Sequence, residues 1–188
     1  MKVPIEISAR HVHLSKDDLY KLFGKNYILK IKNQLSQPGQ FAAKETLTIK
    51  NGKNIIENVR IIGPCRNISQ VEISKTDAIK LKLNPPVRVS GDIDGTPGLI
   101  LIGPKGKMIL KKGVIIAKRH LHISPEEAKK NNLLDKQIIS IKVAGERSIV
   151  YNEVIVRSRE NIDKLSFQLD TDEANAGGIQ NGDYGEIV

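Results

Sequence analysis

The chain has 188 residues, 39% hydrophobic and 27% charged, with 30 Lys and Arg against 21 Asp and Glu for a formal net charge of +9. That balance is ordinary for a folded protein, and the length allows one large domain or two small ones. It excludes an internal disulfide, because Cys65 is the only cysteine, and a membrane-spanning helix, because no apolar run is long enough. The basic residues are spread along the chain without a dense block or interleaved aromatics, so the charge favours anions in general and argues against a nucleic-acid partner. With no Trp and 4% aromatics, the core rests on Ile, Leu and Val, and many short β-branched runs predict a mainly β fold.

In chain order, the first stretch is strand-like, and Pro4 and Glu6 interrupt it. It does not read as a secretory signal, and the expected compartment is the cytoplasm. Arg10-His11-Val12-His13-Leu14-Ser15 follows, and Ser15 with Asp18 three residues on predicts a short helix through about Phe23. Strand-like runs come next at Glu45 to Lys50 and Val59 to Ile62, around Asn51-Gly52, a tight hairpin signal because both positions tolerate positive φ. Gly63-Pro64-Cys65-Arg66 makes a turn before the strand Gln70 to Ser74, and Ser90 to Gly106 is a Gly-, Asp- and Pro-rich hairpin suited to a lid or linker. Beyond the strands Leu99 to Ile102 and Val114 to Ala117, the early motif returns as Arg119-His120-Leu121-His122-Ile123-Ser124. Its offset is 109 residues (Arg10 to Arg119), and Ser124 with Glu127 predicts a second short helix through about Asn131. Strands at Ile138 to Val143 and Ile149 to Val156 complete the pattern. The repeat argues for duplication of one unit. The expected architecture is two small β-barrels with short capping helices: residues 10–90 in the first, a hairpin or lid insertion at 91–117, and 118–188 in the second.

All four histidines lie in the two His-x-His pairs. On a strand, residues i and i+2 share a face, so His11 and His13 project together, as do His120 and His122, while Val12 and Leu121 turn into a core. Two imidazoles one pleat apart can chelate a transition metal, typically zinc. Glu72 on its strand can complete a His₂Glu set with an open position, a catalytic arrangement. Near the second pair the candidates are Gln168, Asp170, Asp172 and Glu173, of which a carboxylate would be the better ligand. Arg66 can grip phosphate with two prongs, and Cys65 reads as a reduced structural thiol.

Taken together, Val3-Pro4-Ile5-Glu6-Ile7-Ser8-Ala9-Arg10-His11-Val12-His13-Leu14-Ser15, Gly63-Pro64-Cys65-Arg66, Gln70-Val71-Glu72-Ile73-Ser74, Ser90-Gly91-Asp92, Gly95-Thr96-Pro97-Gly98, Ala117-Lys118-Arg119-His120-Leu121-His122 and Asp170-Thr171-Asp172-Glu173-Ala174-Asn175-Ala176 resemble the PduL-type phosphate propanoyltransferases. The resemblance implies an enzyme interconverting acyl-CoA and phosphate with acyl phosphate and coenzyme A. It also implies two β-barrels, two zinc ions at their junction and a homodimer, with the first strand joining the C-terminal barrel, so that 1–9 and 118–188 form the second barrel. His11, His13 and Glu72 would hold one zinc, His120 and His122 the other, and Arg66 would bind phosphate. The sequence departs from the family at Gln168, where the third ligand of the second zinc is usually a histidine, and a glutamine carbonyl is a weak zinc ligand. The expectation is also that it lacks the targeting helix that compartment-associated members carry. The competing readings are a zinc hydrolase, which would need no phosphate, and a nucleic-acid-binding β-barrel that uses the net charge.

Overall fold

Short β-branched runs punctuated by Gly, Pro and Asn build fifteen strands and four short helices. The computed structural model describes all residues from 1 to 188. They divide into two units: Met1–Ala9, Ser36–Pro38 and Lys118–Val188 in one, Arg10–Leu35 and Gly39–Ala117 in the other.

The chain begins with β1 (Lys2–Ser8), which belongs to the first unit. It then builds the second unit from β2 (His11–His13), α1 (Lys16–Phe23), β3 (Ile31–Gln34), β4 (Phe41–Asn51) and β5 (Asn54–Gly63). That unit continues through β6 (Gln70–Glu72), α2 (Lys75–Leu81), β7 (Val87–Arg88), β8 (Leu99–Ile102), β9 (Lys107–Leu110) and β10 (Val114–Ala117). Its strands form one open sheet in the order β7-β10-β6-β2-β5-β4-β8-β9, with β3 added to β4. The path ends on a two-residue strand at one side and a four-residue strand at the other, so the sheet does not close on itself. Val12, Leu14, Ile49, Ile61, Val71 and Leu81 are fully buried in its core.

The first unit resumes with β11 (His120–His122), α3 (Pro125–Lys130), β12 (Ile138–Val143), β13 (Ile149–Arg157), β14 (Ser166–Asp170), α4 (Thr171–Gly177) and β15 (Tyr184–Ile187). These strands and β1 close a barrel in the order β1-β14-β11-β13-β12-β15. Alternation fills it: Val3 and Ile5 from β1, Leu121 from β11, Val154 and Val156 from β13, and Phe167 from β14 have no exposed surface. The expectation of a mainly β fold holds, with one closed barrel and one open sheet.

Both predicted helices form where their caps stand. Ser15 accepts from the Asp18 amide and Ser124 from the Glu127 amide. Two further helices, which the sequence reading did not anticipate, follow the same rule: Ser74 caps α2 through the Asp77 amide, and Asp170 caps α4 in a full capping box with Glu173. The hairpin at Asn51-Gly52 is shifted by one residue. Asn51 still pairs with Asn54, and Gly52 alone takes positive φ, at 55°. The asparagine therefore ends β4, and the glycine carries the turn. Leu99–Ile102 pairs with β9 on one side and β4 on the other, and Thr96 anchors the preceding loop by donating to Ile93 O and accepting from the Gly113 amide.

Candidate functional site

In the open-sheet unit, β2 and β6 run antiparallel with His11 opposite Glu72, Val12 opposite Val71 and His13 opposite Gln70. Val12 and Val71 enter the core, so the pleat turns both histidines and the glutamate to the opposite face. His11 Nε2 lies 3.2 Å from His13 Nε2. Glu72 places Oε2 3.6 Å from His11 Nε2 and Oε1 3.7 Å from His13 Nε2. All three ligand atoms fall within 4.8 Å of one another, and all three residues are buried. Donors about 2.0–2.1 Å from a shared tetrahedral centre lie about 3.4 Å apart, so this set has the right size for a zinc-type ion.

Neighbouring groups hold these side chains in place. His13 Nδ1 meets Ile62 O at 3.2 Å, which sets that nitrogen as the donor and leaves Nε2 as the lone pair. Gln70 Nε2 and Ser90 Oγ donate to Glu72 Oε1 at 2.6 and 2.7 Å. Burial first, and then the neighbouring His11, push the His13 pKa down to about 3, so its ring is neutral at neutral pH. For Glu72 the largest influence, burial, pushes the pKa up, but His11, His13 and Ser90 outweigh it and hold the carboxyl well below its ordinary range. A neutral imidazole beside a full carboxylate is the protonation state a cation requires.

Half-buried Arg66 joins this network. Its amide donates to Leu14 O and its Nη1 to Ser90 Oγ at 3.0 Å, the same hydroxyl that donates to Glu72. Cys65 packs partly buried against the core, and burial pushes its thiol pKa up, so at neutral pH it is a poor nucleophile.

The barrel unit repeats this frame. β11 and β14 run antiparallel with His120 opposite Gln168, Leu121 opposite Phe167 and His122 opposite Ser166. Leu121 and Phe167 fill the barrel, so His120, His122 and Gln168 share its outer face. A second offset of 96 residues now shows: Glu72 to Gln168, Ser74 to Asp170, Asp77 to Glu173. The matching ion pairs confirm it, Arg10 with Asp77 at 2.7 Å and Arg119 with Glu173 at 2.6 Å. This is the signal the sequence reading missed, because only two of the paired positions share residue type closely.

The donors, however, differ. His120 Nε2 and His122 Nε2 lie 3.0 Å apart. His120 Nδ1 donates to Lys118 O at 2.8 Å, and His122 Nδ1 to the carboxylate of Asp163 at 2.7 Å. With each Nδ1 turned to an oxygen acceptor, the two Nε2 atoms point at each other across 3.0 Å, the side of each ring on which a shared ligand could be held. Asp163 has a fully buried side chain and also accepts from Arg159 Nε, Nη2 and backbone N. Burial, the largest influence, raises its pKa, but the hydrogen bonds from Arg159 and His122 hold it well below the carboxylate range. Of the three carboxylates expected near this pair, two are otherwise engaged: Asp170 caps α4, and Glu173 pairs with Arg119 and closes the capping box. The gathering of three His, Cys, Asp or Glu ligand atoms occurs at His11, His13 and Glu72 and not here. Gln168 directs its Nε2 to Glu6 Oε2 at 3.1 Å.

With these geometries in view, comparison with known proteins is specific. A family model described as phosphate propanoyltransferase matches residues 4–180. A phosphate propanoyltransferase of Thermotoga maritima is 51% identical over 185 residues, covering 98% of this chain and 88% of that relative. One from Clostridioides difficile is 44% identical over 186 residues, covering 99% and 88%. One from Lachnoclostridium phytofermentans is 49% identical over 187 residues, covering 99% and 87%.

Proposed function

This chain belongs to the phosphate propanoyltransferase family, and from that premise we propose that it interconverts a short-chain acyl-CoA (acetyl or propanoyl) and phosphate with the acyl phosphate and coenzyme A. It is a transferase acting on acyl groups and phosphate. The observation that carries the finer reading is the unbroken chain from the Arg66 guanidinium through Ser90 Oγ to Glu72 Oε1, beside the His11 and His13 Nε2 atoms. It sets an anion-binding fork next to a cation-binding set.

His11, His13 and Glu72 would hold zinc, which when bound would polarise a thioester carbonyl and stabilise a departing thiolate. Arg66 would grip two phosphate oxygens, with Ser90 fixing the plane of its guanidinium. A phosphate oxygen would attack the carbonyl carbon directly, forming the C–O bond as the C–S bond breaks and its electron pair leaves on sulfur. No protein nucleophile is needed, which agrees with the raised pKa of the Cys65 thiol. Released coenzyme A is the first readout, measured with acetyl-CoA and propanoyl-CoA, with and without phosphate, before and after chelation. Phosphate-dependent, chelator-sensitive release is expected, and it ranks the two acyl groups. Release that ignores phosphate would replace this reading with a hydrolase.

A further inference from the structure

The duplicated frame fixes which residues correspond beyond the two histidine pairs. In the open-sheet unit β6 has β10 as its next neighbour, with Ile115 beside Glu72. In the barrel β14 has β1 as its next neighbour, with Glu6 beside Gln168. Ile115 and Glu6 are related by the same 109-residue offset as the histidine motifs. One site therefore carries a carboxylate on the strand next to the histidines and an aliphatic side chain one strand further out. The other carries an amide next to the histidines and the carboxylate one strand further out. The negative charge has moved across one strand spacing, about 4.8 Å.

The geometry points to Glu6 as the positioning residue of a second metal site, in which His120 Nε2, His122 Nε2 and the carbonyl Oε1 of Gln168 are the donors. A carboxylate only accepts, so the Glu6 contact must be made by the amide nitrogen of Gln168. That leaves Oε1 as the end that can turn to the register partner of Gln168, His120. Glu6 is itself held: Ser36 Oγ donates to the same Oε2 at 2.8 Å. Ser36 stands next to Gln37, which is buried and bonded to Lys164 O and Ser166 Oγ at 2.9 Å each. The carboxylate thus polarises the amide through its N–H, making the carbonyl oxygen a better donor than an unsupported glutamine. The result is a neutral two-nitrogen, one-oxygen set, weaker for zinc than the set with Glu72 in direct reach. The inference rests on the reading of the histidine pairs as metal-binding.

The test is zinc binding to the full chain across chelator-buffered zinc concentrations, with Co²⁺ visible spectra as a second readout of the ligand field. The wild-type protein is expected to show two affinity classes, the weaker one abolished by His120→Ala. Glu6→Ala weakens that class by about 10- to 100-fold, the usual effect of removing an outer-shell carboxylate, and leaves the tighter class intact as its own folding control. Glu6→Gln, whose carbonyl can still accept from Gln168, restores part of the loss. On a Gln168→Ala background, Glu6→Ala has no further effect. A Glu6→Ala effect that persists on that background, or none in the wild type, overturns the assignment. A single class that His120→Ala leaves unchanged also overturns it while sparing the first site. Absence of both classes overturns the metal reading of both pairs.

Discussion

The two histidine pairs share a frame and differ in their donors. Each pair sits on a three-residue strand, opposite a register partner on an antiparallel neighbour, and before a helix capped by serine. Each motif arginine pairs with an acid 96 residues apart in the two copies, Asp77 and Glu173. The register partner, however, is Glu72 in one copy and Gln168 in the other. The Nδ1 partner of the second histidine is a backbone carbonyl in one and the buried Asp163 carboxylate in the other. Packing constraints act on the frame through every core contact, whereas a donor atom answers only to the ion it serves. Duplicated sheets therefore keep register and let ligands drift.

The largest expected effect breaks the comparison at its stronger side. His11→Ala or Glu72→Ala should lower acyl phosphate formation by more than about 100-fold, beyond the 10- to 100-fold typical of outer-shell losses, and release the tighter zinc class. The matched His120→Ala should cost less, because its set starts weaker. If the barrel pair proves the more sensitive, the ranking of the two sites is reversed. Arg66→Ala should come next, raising KM for phosphate by about 10- to 100-fold for a lost charged, two-pronged contact, with KM for the acyl-CoA unchanged. An unchanged phosphate KM would remove Arg66 from its role.

A smaller effect compares the helix starts. Asp18 accepts from Ser69 Oγ at 2.7 Å and Lys21 Nζ at 2.9 Å. Burial is the largest influence and raises its pKa, but these hydrogen bonds carry it below the ordinary value. A depressed carboxyl pKa adds stability above the unfolded value, near 4, and loses it as pH falls through the folded value. Asp18→Asn should thus cost about 1 kcal/mol in urea unfolding at pH 7, and the difference should close as pH falls below the ordinary carboxylate range. Its counterpart Glu127, held by Ser124 alone in the same turn, should lose only a few tenths as Gln, in line with a surface hydrogen bond. The smallest effect is Cys65→Ala, expected to leave acyl transfer unchanged. A large loss would return the thiol to the reaction.

Much of this was legible because its determinants are local. Ser15 and Ser124, each with an acid three residues on, announce the helices that start at the next residue, and the apolar Val12 and Leu121 fix which way the histidines face. Strands at Leu99–Ile102, Val114–Ala117 and Ile138–Val143 begin and end where turn residues flank them. What stayed hidden depends on partners far along the chain. Glu6 meets Gln168 across 162 residues, and Asp163 meets His122 across 41. No periodicity encodes such pairs: sheet register sets the first, and the loop before β14 the second. The 96-residue repeat was hidden for a related reason, since Gln70-Val71-Glu72-Ile73-Ser74 and Ser166-Phe167-Gln168-Leu169-Asp170 keep hydrophobic alternation and the cap but no identical residue. The open sheet escaped notice because barrel closure depends on the end strands, and β7 and β9 carry no strong signal.

One feature of the barrel governs the order in which the protein can be made. β1 lies between β14 and β15, pairing Ile5 with Phe167 and Val3 with Gly185. During synthesis every strand of the open-sheet unit has been made by Ala117, so His11, His13 and Glu72 can assemble before the barrel strands that follow are complete. β1 must instead wait for β14 and β15 before it has a neighbour. Its pairing joins residues far apart in the chain, and loop-closure entropy slows such non-local contacts. A chain made as far as Ala117 but not yet to β14 thus has His11, His13 and Glu72 in place while Val3 and Ile5 still lack the strands that bury them.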